Sequence, residues 1–216
     1  MSPVQTCRES FLIGCIELST DGQGGDSQHD LPISYFPIAE RLNCSEALQK
    51  LFVELESTLC FVPKVIRAFA WREARFWKWW AHRNDLMTES EGLSKAEREM
   101  VAVVVSAAND CLYCMTSHGY AVRVLLGDPI TAERITLDYR RAGLEARTLG
   151  MLDYAVKITK CPAECSLEDV ERLRKLGFRD EDIWDIAEIA AMYNYTNRLA
   201  SATGMLPNPE YHGLAR

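Results

Sequence analysis

Across residues 45–202 of this 216-residue chain, apolar side chains return every three or four positions, and no strand-like stretches alternate with the helix-like ones. That period limits the fold severely, because an amphipathic helix must bury its apolar stripe against another element. The segment SEALQKLFVELESTL places Leu48, Phe52, Leu55 and Leu59 at helical spacing. Pro63, tolerated in a first helical turn, opens a long segment reaching to about Met87. Ser94 with Glu97, and Ser166 with Asp169, form capping boxes at two further helix starts. A last helix spans about Asp180 to Ala202, ahead of an irregular tail, GMLPNPEYHGLAR. One run resists: Val101-Ala102-Val103-Val104-Val105 has strong β propensity. The capping box before it and Ala107-Ala108 after it argue for a buried helix instead. The expectation is an all-α domain over residues 31–216, preceded by a flexible extension, residues 1–30, whose TDGQGGDS stretch has no apolar period.

An apolar fraction of 48% and a charged fraction of 25% are those of an ordinary globular protein. The formal charge of −7 argues against nucleic acid, which requires a basic face. No apolar run approaches the roughly 18 residues of a membrane span. Leu12-Ile13-Gly14-Cys15 mimics a lipoprotein cleavage box, but the apolar stretch before Cys15 is short and follows Glu9, so a cytoplasmic protein is expected. Of the eight cysteines, Cys7, Cys15, Cys44 and Cys60 are scattered, and Cys161 and Cys165 flank Pro162. Disulfide frameworks belong to small secreted chains without a core, so these six read as free thiols.

The remaining two carry the chemistry. Glu99 is followed by Cys111, Cys114 and His118 in the order Cys-x-x-Cys-x-x-x-His. Positions i, i+3 and i+7 share one face of a helix that advances about 100° per residue. Cα atoms at i and i+3 lie about 5 Å apart, within the roughly 4.4–6.8 Å a disulfide needs. Asn109 or Asp110 caps this helix and Gly127-Asp128-Pro129 ends it, which places Cys111 in the first turn, where free N–H groups favour a thiolate. His118, four residues after Cys114, neighbours that second thiol.

Magnitudes rank the two means of activation. Lowering a thiol from pKa about 8.5 to about 6.5 raises its thiolate fraction at pH 7 from roughly 3% to 75%. The accompanying loss of nucleophilicity returns about eightfold, leaving a net gain of about threefold. A positioned acid that protonates the departing group contributes roughly 10²–10⁴. A Glu99/His118 proton relay should therefore matter more than thiolate stabilisation. Zinc uses the same ligand alphabet, but three ligands on one helix face cannot easily surround a tetrahedral ion, and no metal or cofactor is expected.

Phe69, Trp71, Phe76, Trp77, Trp79 and Trp80 crowd one helix among Arg72, Arg75 and Lys78. Such a helix is buried on two sides, in the core and at a subunit interface, or it lines a hydrophobic channel. A shift of 83 residues sets Asn194 on Cys111, Asn197 on Cys114 and Asp182 on Glu99, a weak echo of a duplicated helical pair or a coincidence.

The motif Glu99-x₁₁-Cys111-x-x-Cys114-x-x-x-His118 resembles that of the alkylhydroperoxidase D family, within the carboxymuconolactone decarboxylase-like superfamily. LFVELESTLCFVPKVIRAFA, LLGDP, MLDYAVKIT, GFRDEDIWDIAEIAAMYNYTNRLA and PNPEYH extend the resemblance to its peroxidase-related subgroup, over about residues 33–212. The resemblance implies a bundle of roughly eight helices with no sheet, assembled as a homo-oligomer. It further implies reduction of an organic hydroperoxide, with Cys114 attacking, Cys111 resolving the sulfenic acid into a disulfide, and Glu99 and His118 relaying protons. The reductant would be a dithiol or a lipoyl protein. This chain departs from the family pattern at Tyr113, where a histidine is usual and a phenol is a poor base. Two rivals remain: a thiol–disulfide oxidoreductase acting on a protein or lipoamide disulfide, and a non-redox member such as a lactone decarboxylase.

Overall fold

The computed structural model describes residues 32–216. The expected N-terminal extension, the Leu12–Cys15 box, Cys7 and Cys15 lie outside the described residues. Among those described there is no strand, and ten α-helices follow in order. They are α1 (Glu46–Leu59), α2 (Lys64–Ala70), α3 (Glu73–Leu86), α4 (Lys95–Ala108), α5 (Leu112–Leu126), α6 (Pro129–Asp138), α7 (Ala146–Lys160), α8 (Leu167–Lys175), α9 (Asp180–Ala202) and α10 (Glu210–Gly213). The fold is all-α, as the periodicity implies. None of these helices is long and apolar enough to cross a membrane.

Local chemistry sets the boundaries. Ser45 accepts from the Leu48 amide at the start of α1. Both capping boxes form, at Ser94/Glu97 and at Ser166/Asp169. Gly127 ends α5 in the left-handed conformation, φ 62°, which costs a residue without Cβ little. Asp128 then caps α6 by accepting from the Ile130 and Thr131 amides, with Pro129 in the first turn.

The expected single segment from Pro63 to Met87 is instead two helices, broken at Trp71-Arg72. The break is held from outside the segment. Trp71 stacks on Phe36, and the Glu73 carboxylate, at the start of α3, accepts from the Ser45 hydroxyl and from the Trp77 indole. Tertiary contacts override a continuous helical pattern here. The tail likewise contains a short helix, α10. The echo of the motif in α9 is not a repeated helical pair, since 180–202 runs unbroken where the motif region turns.

The valine run is helical because α4 is covered on every side. Val101, Val103 and Val105 are fully buried, and α5, α7, α9 and α6 all pack on α4. One apolar cluster joins α4 to α6–α9 through residues such as Met151, Ile186 and Ile189. A second joins α1–α3, the start of α5 and the tail through Phe52, Ile66, Phe76, Tyr113 and Tyr211. α5 belongs to both, with Val122 in the first and Cys111 and Cys114 in the second. Cys44, Cys161 and Cys165 are free thiols as expected, whereas Cys60 is held in a disulfide.

Candidate active site

Glu99 sits in the second turn of α4, a helix whose pairing with α5 is the most extensive among the described elements. Its carboxylate lies 2.6 Å from Nδ1 of His118 on α5. The carboxylate is 4% exposed, so it depends on its neighbours for solvation. Burial alone would raise its pKa. The His118 imidazole, then Arg83 and Lys95, reverse that and hold the carboxyl below its ordinary range. Lys95, one turn earlier on α4, has Nζ 3.6 Å from the other carboxylate oxygen. The His118 ring also meets Tyr193 of α9 edge-on, with centroids 4.5 Å apart.

The turn between α4 and α5 aims the dithiol. Asn109 ends α4, Asp110 takes a left-handed φ of 52°, and Cys111 is itself the N-cap of α5. The expectation of an Asn109 or Asp110 cap with Cys111 inside the first turn is thus displaced by one or two positions. Asp tolerates the left-handed region better than most residues, so the turn can close without glycine. The consequence for the sulfur persists, since Cys111 still stands at a helix N-terminus, where negative charge is favoured.

Both cysteines are free and almost wholly enclosed, at 1% and 2% exposure. Within the pair, Cys111 is the acidic thiol. The Cys114 thiol hydrogen-bonds to it and, against the cost of burial, lowers its pKa to about 6, with smaller help from Ser201 and Asn197. Cys114 is raised well above the ordinary thiol range, because it donates that hydrogen bond and is buried. One proton is therefore shared between the two sulfurs and rests on Cys114.

The sulfurs open to different spaces. Cys114, Glu99 and His118 line a common cavity of about 230 Å³, walled by Trp79, Trp80, Tyr120 and Tyr211 among others. Cys111 lines a separate hollow of about 420 Å³ with Asp110, Ser201, Met205 and Leu206. The four residues singled out from the sequence are thus brought together, with Cys111 behind Cys114 as seen from the Glu99/His118 side. Tyr113 does not replace the histidine it displaces. Its hydroxyl accepts from the Val65 amide at 3.0 Å, and burial raises its pKa well above the phenol range. It pins the start of α5 to α2. The aromatic helix supplies cavity wall, as the channel reading expects, through Trp79 and Trp80.

Sequence reasoning missed a polar network behind the dithiol. The Asn109 side-chain amide donates to Asn194 and Asn197 oxygens, each at 3.0 Å, and Asn197 donates to the Ser106 hydroxyl at 3.0 Å. Asn194 donates onward to Thr159. This ties the turn before Cys111 to α9, and Asn197 also faces both sulfurs. Two asparagines three residues apart, on a helix that carries Ile186, Ile189, Ala190 and Tyr193, were the available signal, because buried amides occur where their partners are supplied. No group of three or more His, Cys, Asp or Glu among the described residues is arranged as metal ligands.

A model of the carboxymuconolactone decarboxylase family matches residues 73–137, which hold Glu99, both motif cysteines and His118. An uncharacterised peroxidase-related protein from Silicibacter sp. TM1040 is 47% identical, with a TM-score of 0.79, over 87% of this chain and 94% of that one. A second, from Ralstonia eutropha JMP134 and described as an alkylhydroperoxidase AhpD core, is 38% identical, with a TM-score of 0.83, over 86% of this chain and 98% of that one. The debrominase Bmp8 shares the fold at 15% identity and a TM-score of 0.70. None of the curated proteins matches the chain. The class is that of helical, enzyme-associated proteins with a peroxidase-like role. More narrowly, this chain belongs to the alkylhydroperoxidase D-like branch of the carboxymuconolactone decarboxylase superfamily.

Proposed function

We propose that this chain is a dithiol hydroperoxide reductase. One observation carries the reading: Cys114 shares a cavity with a buried Glu99–His118 pair while Cys111 stands hydrogen-bonded behind it. The shared proton first passes from Cys114 to the relay, which leaves Cys111 a thiolate. The Cys114 thiolate then attacks the distal peroxide oxygen, the O–O bond breaks, and the alkoxide takes a proton from the relay to leave as an alcohol. The Cys111 thiolate attacks the sulfenic sulfur, and hydroxide leaves as water with a second proton that the relay takes up from solvent. An external dithiol, a lipoyl group or an equivalent, supplies two electrons to reopen the disulfide.

The lower pKa of Cys111 does not make it the attacker. Thiolate stabilisation is worth only about threefold after the loss of nucleophilicity, whereas leaving-group protonation is worth roughly 10²–10⁴, and only Cys114 has the relay beside it. A pKa near 6 suits Cys111 to its own step, since it must be a thiolate when it resolves the sulfenic acid. The reading is tested by cumene hydroperoxide consumption with dithiothreitol, alongside the intact mass of the chain. The expected result is turnover that Cys114→Ser abolishes, and a reversible loss of two hydrogens that either cysteine variant abolishes. Full turnover by Cys114→Ser would overturn the assignment. The acidity of Cys111 and the hollow beside it favour a second reading, thiol–disulfide exchange with a disulfide substrate. Faster oxidation of the reduced chain by lipoamide than by the peroxide would select it.

A further inference from the structure

The reaction cavity holds more hydrogen-bonding capacity than the Glu99/His118 relay uses. Two of the residues that line it, Trp79 and Tyr193, carry the two buried side-chain polar atoms that lack a partner among the described residues, Nε1 and the hydroxyl. A third, Arg83, is the polar neighbour of the Tyr193 hydroxyl, without a close hydrogen bond to it, and lies 5.8 Å from the Trp80 ring centroid; its positive charge is felt by both Tyr193 and Glu99. Arg83 makes no ion pair among the described residues, and its guanidinium is hydrogen-bonded to the Asn84 amide oxygen at 3.0 Å. Glu99 is already engaged, by His118 at 2.6 Å and by Lys95 at 3.6 Å. The groups with capacity left are therefore donors: an indole N–H, a phenol O–H and the guanidinium N–H groups not turned to Asn84 or Tyr193. Leaving a buried donor unpaired costs about 1–3 kcal/mol, so donor side chains on three residues that line one cavity call for an acceptor.

Size and wall chemistry limit the rest of the ligand. A dry cavity of about 150 Å³ accepts benzene, so 230 Å³ holds one substituted ring. The wall is aromatic and aliphatic, suited to a ring's faces and edges.

We propose that the cavity recognises a compact aromatic carboxylate, with Arg83 as the carboxylate's counter-ion and Trp79 and Tyr193 as its neutral donors. The hydroperoxide that the site reduces is then a carboxylated aryl or benzylic hydroperoxide. The reactive half of that substrate rests on the function proposed above, whereas the anionic half rests on the cavity alone. A site built from donors rejects an analogue lacking the acceptor, because its own groups are then left unpaired.

The test separates the two halves. Benzoate and benzyl alcohol are titrated into the reduced full chain, followed by calorimetry and by the fluorescence of the cavity tryptophans. Benzoate is expected to bind at least about tenfold tighter, a preference of about 1.4 kcal/mol that Arg83→Met removes and Arg83→Lys partly restores. Should Arg83→Met fail to fold, Tyr193→Phe and Trp79→Phe serve in its place, each expected to weaken benzoate more than benzyl alcohol and so to shrink the preference between them. A carboxylated cumene hydroperoxide is then compared with cumene hydroperoxide, and the ratio of kcat/KM should favour the acid by at least about tenfold and collapse in Arg83→Met. Equal binding of the two probes, no binding of either, or a preference that survives the Arg83 substitutions overturns the proposal. Binding of benzoate through Arg83 without turnover of either peroxide sustains it and defeats the peroxidase reading instead.

Discussion

At the scale of single residues, the proton shared between Cys111 and Cys114 makes a spectroscopic prediction. Thiolate absorbance near 240 nm should rise through a midpoint near pH 6 in the reduced protein, and Cys111→Ser should abolish that step. A step that survives in Cys111→Ser would assign the thiolate to another sulfur. Glu99 makes a second prediction. Glu99→Gln keeps the shape of the side chain and removes its charge, so peroxide turnover should fall about 10²-fold or more while benzoate binding persists. The sign of its effect on stability follows from the lowered pKa. A carboxyl held below its unfolded value of about 4.3 contributes stability above that pH and loses it as pH falls through the lower folded value. The melting temperature of the parent chain should therefore drop more steeply below about pH 4.3 than that of Glu99→Gln. Parallel acid melting curves would show that the His118 pairing has no such role.

At the scale of elements, α4 is anchored by an unusual group for a core. Arg98 is 2% exposed, and every part of its guanidinium is used. It donates to the Leu86 and Leu93 carbonyls and to the Ser90 hydroxyl, and it pairs with Asp185 of α9 at 2.6 Å. One side chain thus closes the loop between α3 and α4 and fixes α4 against α9. Asp185→Ala leaves that cation uncompensated and should cost about 2–3 kcal/mol, less than for a wholly enclosed pair because Asp185 is partly solvated. For a chain of this size that is a fall in melting temperature of roughly 5–10 °C. Most of these elements were legible beforehand, because caps and 3.6-residue periods are local. The capping box at Ser94 outweighed four β-prone valines for that reason. What could not be read was set by distant partners: the break at Trp71-Arg72, held by Phe36 and Ser45, and the short α10. The site divides in the same way. Its four motif residues share a local spacing, but Arg83 and Tyr193 reach it from other helices and leave no trace in the spacing, and Asn197 is marked only by its distance of three residues from Asn194.

At the scale of the whole molecule, the tail helps to close the elements around the cavity. Arg123 of α5 donates to the Tyr211 and Leu214 carbonyls, and Asn208 accepts from the Lys64 amide at 2.7 Å. Tyr211 packs edge-on against Phe61 and forms part of the cavity wall. Arg123→Met should release this strap, with proteolytic cleavage after residue 205 accelerating severalfold and KM for peroxide rising more than kcat falls. An unchanged cleavage pattern would show that Asn208 and the apolar contacts suffice. The left-handed Asp110 has a broader consequence for how such a chain can change. It sets the rotational phase of one helix against the other. Inserting or deleting a single residue there would turn α5 by roughly 100° and carry both sulfurs away from the carboxylate. The number of residues between Glu99 and Cys111 thus acts as a ruler for the distance between carboxylate and sulfurs.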